Sequence, residues 1–230
     1  MSDGTRTRGR LDHNQELYQL SYAHRAAPNL PASPHPPGLS GAGLLDTVDM
    51  SFEIGDAVPP FTLTDTEGVE HSLPAAQAGD ATYATVVILM CNHCPFVQAW
   101  NPRVAKVARE YGPRGVRFLS INSNDSTRFP ADSYERMVQF ARDQSWPMPY
   151  LHDEDQAVAR ALDAQVTPHI FILDAGHKLV WTGAPDADPG NEEDELDADW
   201  LREALDSVTA GCKPAVEVRP LRGCSVKWLP

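Results

Sequence analysis

The chain is short of several things, and each shortage excludes a class. Only four cysteines occur in 230 residues, too few for a small secreted scaffold stapled by disulfides. Basic residues are scarce: 19 Lys and Arg stand against 32 Asp and Glu, for a formal charge of −13. A nucleic-acid protein draws its affinity from cations on phosphates, so no nucleic-acid partner is expected. Long apolar runs are missing as well. The longest, around Thr85–Cys91, is too short to cross a bilayer, and no membrane role is expected. Residues 1–14 mix Arg6, Arg8 and Arg10 with Asp3 and Asp12 and lack the apolar core of a secretory signal. The expected location is cytoplasmic, a reducing compartment in which cysteines are catalytic, metal-bound or buried. What remains is ordinary for a globular protein: 42% hydrophobic, 22% charged and 8% aromatic residues.

The punctuation divides the chain into residues 1–50, 51–210 and 211–230. Ala26–Leu45 holds Pro28, Pro31, Pro34, Pro36 and Pro37 with Gly38, Gly41 and Gly43, and no charge. It has no periodic face to bury and reads as a flexible N-terminal arm. Met50, just ahead of the first strand-like run, is an alternative start. From Phe61 the signals become regular. Phe61–Thr64 and Val69–Leu73 flank Asp65-Thr66-Glu67-Gly68 as a hairpin. Thr85–Met90 is a continuous β-branched and aliphatic run, as in a strand buried on both faces. Pro95–Tyr111 carries Val97, Trp100, Val104, Val107 and Tyr111 at helical spacing, with Pro102 expected to kink it. Val116–Ile121 follows as a strand. Asp132 with Glu135 reads as a capping box for a helix burying Tyr134, Met137, Val138 and Ala141. A short strand at Tyr150-Leu151, a helix over 155–162, a second hairpin (His169–Leu173 with Lys178–Thr182) and a helix over 197–208 complete the pattern. This alternation predicts an α/β fold, a mixed central sheet flanked by helices.

The sharpest chemical signal is Cys91-Asn92-His93-Cys94, at the junction of the buried strand and the helix. A helix N-terminus offers free N–H donors and a partial positive charge. Pro95 in the first turn loses no needed hydrogen bond. Such a setting lowers thiol pKa values, to roughly 3.5–7.5 in Cys-x-x-Cys motifs. Two cysteines three apart can also close a disulfide. Cys91 is therefore expected to attack, as a thiolate formed below neutral pH, and Cys94 to resolve. The same residues admit half a zinc site with His93 or His71, or two inert core thiols. Cys212 and Cys224, with eleven residues between them, do not supply the second knuckle. The second element is Val166-Thr167-Pro168, ahead of a strand. Proline there is either an edge feature or a cis peptide, which would turn the Thr167 backbone toward the dithiol.

Cys-x-x-Cys at a strand-to-helix junction, followed some 74 residues later by Thr-Pro at a strand start, resembles the thioredoxin superfamily. Cys91–Val97, Ile121–Asp125, Pro149-Tyr150-Leu151, Thr167-Pro168 and Gly223–Trp228 resemble, more narrowly, a peroxiredoxin-like branch of the alkyl hydroperoxide reductase/thiol-specific antioxidant (AhpC/TSA) group that keeps a dithiol. The resemblance covers the chain from about Phe52 to its end. It implies a thioredoxin-like fold with an N-terminal hairpin and a strand-helix insertion before Pro168. It also implies a thiol–disulfide oxidoreductase with a possible antioxidant role. The redox-active disulfide would be its sole cofactor, and its partners would be protein or small-molecule disulfides and a thiol reductant. Cys91, Cys94 and His93 would be catalytic, and Thr167 and Pro168 would contact the substrate backbone. The peroxiredoxin Pro-x-x-x-Thr-x-x-Cys pattern fails in both registers: Ile88 and Ala84 precede Cys91, and Cys91 and Val87 precede Cys94, at the Thr and Pro positions. Peroxidase chemistry is accordingly the weaker alternative. A non-catalytic metal carrier through Cys91, His93 and Cys94 is the alternative of another class.

Lesser features complete the reading. His93 resembles the imidazole of a disulfide-isomerase dithiol and would tune redox poise. No buried carboxylate is legible beside the dithiol. Cys212 and Cys224 form a candidate second thiol pair that could relay electrons. The segment Asp186–Asp206 holds ten acids and one base, which reads as a solvated loop and helix start rather than a calcium loop.

Overall fold

The computed structural model describes residues 52–74, 82–192 and 197–230. The expected arm over residues 1–50, with Met50, lies outside them. The described residues belong to one compact unit.

Its centre is β3 (Ala84–Leu89), in which all six residues are buried. β3 runs parallel to β4 (Val116–Asn122) and antiparallel to β7 (His169–Asp174). β5 (Tyr150–His152) extends the β4 edge in parallel, and β8 (Leu179–Gly183) extends the β7 edge antiparallel. The five strands follow the order β5-β4-β3-β7-β8, a mixed sheet as the alternation of elements predicts. Successive side chains of a strand face opposite ways, and β3 feeds two cores accordingly. Val86 and Ile88 pack with Trp100, Val104 and Val107 of α1 (Pro95–Tyr111) and with Leu201 and Leu205 of α4 (Asp199–Thr209). Val87 and Leu89 pack with Leu119, Ile121 and Phe171, and with Val158 and Leu162 from α3 (Ala157–Ala161) and its end. Full burial of such a side chain is worth about 1.5–3 kcal/mol. A single polar substitution in β3 therefore damages one face selectively.

The hairpin of β1 (Phe61–Thr64) and β2 (Glu70–Leu73) forms as expected. Its turn is organised by Asp65, whose carboxylate accepts from the N–H groups of Glu67 and Val69 at 2.8 and 2.9 Å. α1 runs over Pro95–Tyr111 as expected and carries Pro102 within it, with the proline on the exposed side and the apolar stripe buried. Several expectations require correction, beginning with the start of the next helix. The cap of α2 (Tyr134–Asp143) is Ser133, whose hydroxyl accepts from Arg136 N–H at 3.4 Å. Asp132 is turned away from that helix.

The segment after β8 is no solvated loop at its start. Asp186 is 1% exposed. Its carboxylate accepts from Trp100 Nε1 at 2.8 Å and pairs with Arg103 at 2.6 Å. It also takes the N–H groups of Asp188 and Ala198, at 2.9 and 3.1 Å. One buried acid thus fastens this segment and the start of α4 onto α1. Nor are residues 211–230 a loose tail. β9 (Cys224–Ser225) pairs antiparallel with β6 (Val166–Thr167). Lys227 N–H donates to Asn124 Oδ1, and its carbonyl accepts from Asp125 N–H, both at 2.9 Å. Gln156 Nε2 donates to the carbonyls of Ser123 and Lys227 at 2.7 and 2.8 Å, while its own carbonyl accepts from Leu229 N–H. The chain end is folded back over the C-terminal ends of β3 and β4, where ligands gather in open α/β sheets.

Candidate functional site

β3 ends at Leu89, and the chain passes through Cys91 and Cys94 into α1. Cys94 is the residue flanking the first helical turn, in an extended conformation, and Pro95 occupies the first helical position. The buried strand therefore delivers two thiols to a helix N-terminus. Both are enclosed: Cys91 is 1% exposed and Cys94 not at all. The Thr167–Pro168 peptide is cis, and Thr167 faces both sulfurs. Its hydroxyl lies 3.4 Å from Cys91 Sγ, and its carbonyl oxygen 3.1 Å from Cys94 Sγ, which can donate to it. The structure thus brings together Cys91, Cys94, Thr167 and Pro168, the four residues singled out from widely separated motifs.

It adds two groups. The first is Cys224, whose sulfur is 3.0 Å from Cys94 Sγ. The register Thr167↔Cys224 sets this contact. It also requires the preceding Gly223, since a Cβ there would meet the Thr167 carbonyl oxygen at 2.4 Å. Cys212 does not join it. That thiol is exposed beyond α4, its sulfur 3.8 Å from Ala210 O. The expected Cys212–Cys224 pair is replaced by a Cys91, Cys94, Cys224 cluster.

The second is Asp132, a fully buried carboxylate. Its oxygens accept from Asn92 N–H at 2.8 Å and Asn124 Nδ2 at 2.7 Å, and lie 2.7 Å from His93 Nδ1. Asn122 Nδ2 donates to its backbone carbonyl at 3.0 Å, and Tyr150 OH donates to Asn92 Oδ1 at 2.9 Å. The Asn and Tyr positions of the sequence motifs are thus the framework that holds a buried acid against the dithiol loop. The sequence reading missed that acid because Asp132 and Ser133 are both good caps; the pair of asparagines at 122 and 124 was the available signal for a buried acceptor.

Electrostatics follow from the contacts. The Asp132 carboxylate raises the His93 pKa, against the opposing effect of burial. Its ring also stacks on Phe129, at 6.0 Å and 2° between planes. Within the sulfur cluster, Cys94 is central. Loss of one proton places the charge best on Cys94, because Cys224 and then Cys91 can turn an S–H toward it, and its pKa falls. The Thr167 carbonyl works against that charge. The Cys91 pKa is raised, first by its hydrogen bond to Cys94, then by burial and by the Asp132 charge. Cys224 is raised as well, chiefly by its bond to Cys94. The thiolate expected on Cys91 is opposed here by its hydrogen bond to Cys94, by burial and by the Asp132 carboxylate. For a metal, the donors that converge among the described residues are Cys91, His93 and Asp132, all within 4.8 Å of one another. Asp132 takes the place expected of Cys94. His71 is engaged elsewhere, 2.7 Å from Asp65 in the hairpin.

Comparison with known proteins agrees with the geometry. A crystal structure of an uncharacterized conserved protein from Geobacillus kaustophilus is 38% identical, with TM-score 0.73, over 78% of this chain and 94% of that one. A hypothetical protein from Sinorhizobium meliloti is 35% identical, with TM-score 0.71, over 78% and 96%. A putative thioredoxin from Neisseria meningitidis shares the fold at 22% identity and TM-score 0.51, over 66% and 91%. No curated protein matches. A five-stranded mixed sheet with this order, carrying paired thiols at a strand-to-helix junction, defines a thioredoxin-like redox protein. Residues 54–182 match the AhpC/TSA family, and the chain belongs to it.

Proposed function

We propose that the protein is a thiol–disulfide oxidoreductase that cycles Cys91 and Cys94 between dithiol and disulfide. The observation that carries this reading is the enclosure of both sulfurs by Thr167, with its hydroxyl at Cys91 and its carbonyl at Cys94. The site holds the parts that exchange requires: a thiolate, a second thiol beside it and backbone groups at the sulfurs.

Cys91 rather than Cys94 is the attacker, since the Cys94 sulfur is held against Thr167 and Cys224. Cys91 hands its proton to Cys94 and attacks the partner disulfide, and the partner's first sulfur leaves as a thiolate. Cys94 then gives up its proton and attacks Cys91 Sγ, closing the Cys91–Cys94 bond and releasing the second partner sulfur. Two thiols are formed as one dithiol is oxidised, and an external thiol reductant restores the dithiol. His93, about one-third exposed and held by Asp132, is the group through which protons reach solvent. The chemistry uses cysteine sulfurs alone, and an antioxidant role follows if the partners are oxidised proteins or small disulfides of a reducing cytoplasm.

The test is trapping. Reduced Cys94→Ser protein mixed with a disulfide should accumulate a mixed disulfide on Cys91. Equal trapping by Cys91→Ser protein would overturn the assignment. A second reading is favoured by one observation, the convergence of Cys91, His93 and Asp132, a donor set suited to zinc. Stoichiometric zinc in purified protein, lost on Asp132→Ala substitution, would support a metal carrier instead.

A further inference from the structure

The contact between Cys94 and Cys224 is unexplained by a two-cysteine cycle. A resolving thiol needs one partner sulfur, yet Cys94 has one on each side. The second is held by design of the backbone: β9 pairs with β6 so that Cys224 stands opposite Thr167, and Gly223 is the residue that lets the strands close. At 3.0 Å, the two sulfurs lie within hydrogen-bonding contact, close enough to become a disulfide with small adjustment of the side chains. The chain just beyond this strand is anchored in turn, through Lys227 on Asn124 and Gln156. Cys224 is also the most exposed of the three, at 8% against 1% and 0%, and its neighbour Ser225 is open to solvent.

Resting on the dithiol reading above, we infer that Cys224 is a third redox cysteine, which takes the disulfide from Cys91–Cys94 and carries it as Cys94–Cys224. The step balances without any co-reactant. The Cys224 sulfur, as thiolate, attacks Cys94 Sγ; the Cys94–Cys91 bond breaks; Cys91 leaves as thiolate and receives the proton that Cys224 lost. No electron enters or leaves. The consequence is a division of labour. Cys91 is a free thiol again, and the external thiol reductant attacks the Cys94–Cys224 bond at Cys224, on the more open side, which restores Cys94 to resolve the next substrate disulfide.

Three chains test this, all in a Cys212→Ser background to remove the exposed thiol: Cys91→Ser, Cys224→Ser, and the Cys212→Ser parent. Each is reduced, oxidised with diamide or glutathione disulfide, blocked with iodoacetamide and mapped after trypsin. Cleavage after Arg222 and Lys227 releases Cys224 in the peptide Gly223–Lys227, whereas Cys91 and Cys94 fall in one peptide ending at Arg103. The expected result is that Cys91→Ser protein loses two titratable thiols and carries Gly223–Lys227 cross-linked through Cys94. The parent, partly oxidised, should show both the internal Cys91–Cys94 loop and the cross-linked peptide. If Cys224→Ser protein oxidises while Cys91→Ser protein keeps both thiols and the parent shows no cross-link, the relay is wrong and the dithiol reading stands. If Cys91→Ser protein cross-links and Cys224→Ser protein does not oxidise, the dithiol reading falls. Mapping the parent keeps the question answerable should one variant fail to fold.

Discussion

Two buried carboxylates, Asp132 against the dithiol loop and Asp186 against the helix that follows it, have partners that give them opposite jobs. Asp186 is matched to Arg103, a cation that never titrates in the working range of a protein, and to Trp100 and two backbone N–H groups. Every bond is a fastening. Asp132 is matched to His93, a cation only when protonated, and lies beside sulfurs whose own charge depends on it. The same residue type at the same depth is a rivet where its counter-charge is permanent and a working part where the counter-charge can leave.

The comparison predicts a large loss of stability on one side. Asp186→Ala takes the carboxylate away from the buried Arg103 and leaves it the Asp188 carbonyl, which costs about 3–5 kcal/mol for a broken buried pair. Denaturant unfolding should show that loss, while the disulfide-exchange rate per folded molecule stays at the wild-type value. A slowed exchange rate in a folded Asp186→Ala chain would break the distinction.

A second effect belongs to a histidine with no carboxylate at all. Burial lowers the His169 pKa to about 3, while its ring nitrogens meet Thr182 Oγ1 at 2.9 Å and Gln165 N–H at 3.4 Å. The unfolded chain binds this proton near its ordinary value and the folded chain does not. The stability that neutral His169 contributes is therefore present above pH ~6.5 and lost as pH falls toward 3, by at most about 5 kcal/mol over the full range. His169→Gln protein should show a flatter fall in unfolding free energy between pH 6 and 4, read from denaturant curves at stepped pH. An unchanged slope would locate the acid sensitivity elsewhere.

The smaller effects sharpen the functional side. His93 has the opposite sign. Its folded pKa is raised by Asp132, so its contribution is fully present below its unfolded pKa and vanishes as pH rises through the folded one. The stability gap between wild type and His93→Gln should accordingly be widest in mild acid and close at alkaline pH. Asp132→Asn keeps most hydrogen-bonding capacity but removes the charge. NMR titration should place His93 lower in that variant, and thiol titration should place Cys91 lower, since the carboxylate that opposes its ionisation is gone.

Much of this was legible in the chain. The run Ala84–Leu89 announces a strand buried on both faces, and the stripe Val97, Trp100, Val104 and Val107 announces the helix behind it, because periodicity records burial. Cys91, Cys94, Thr167 and Pro168 were legible because strand ends and helix starts leave local marks. The third cysteine's place and the buried acid were not. Cys224 reaches Cys94 through a two-residue strand pairing across 130 positions, and short strands carry almost no pattern. Asp132 looked like a cap because Asp and Ser satisfy helix N–H groups equally well, and one shift of register decides which of them faces the site. Asp186 looked solvated because it opens an acidic segment; only the three-dimensional approach of Trp100 and Arg103 reveals it as a fastening.

The proposed chemistry is sulfur–sulfur exchange, and neither Cys91 nor Cys94 stands in the Pro-x-x-x-Thr-x-x-Cys setting of a peroxide-reducing cysteine. Single-turnover oxidation of the reduced protein, by a disulfide and by hydrogen peroxide at equal concentration and followed by Trp100 fluorescence and thiol mapping, tests it most directly. The account predicts faster closure of Cys91–Cys94 by the disulfide. Faster oxidation by peroxide, with a sulfenic acid caught on Cys91 or Cys94, would contradict it.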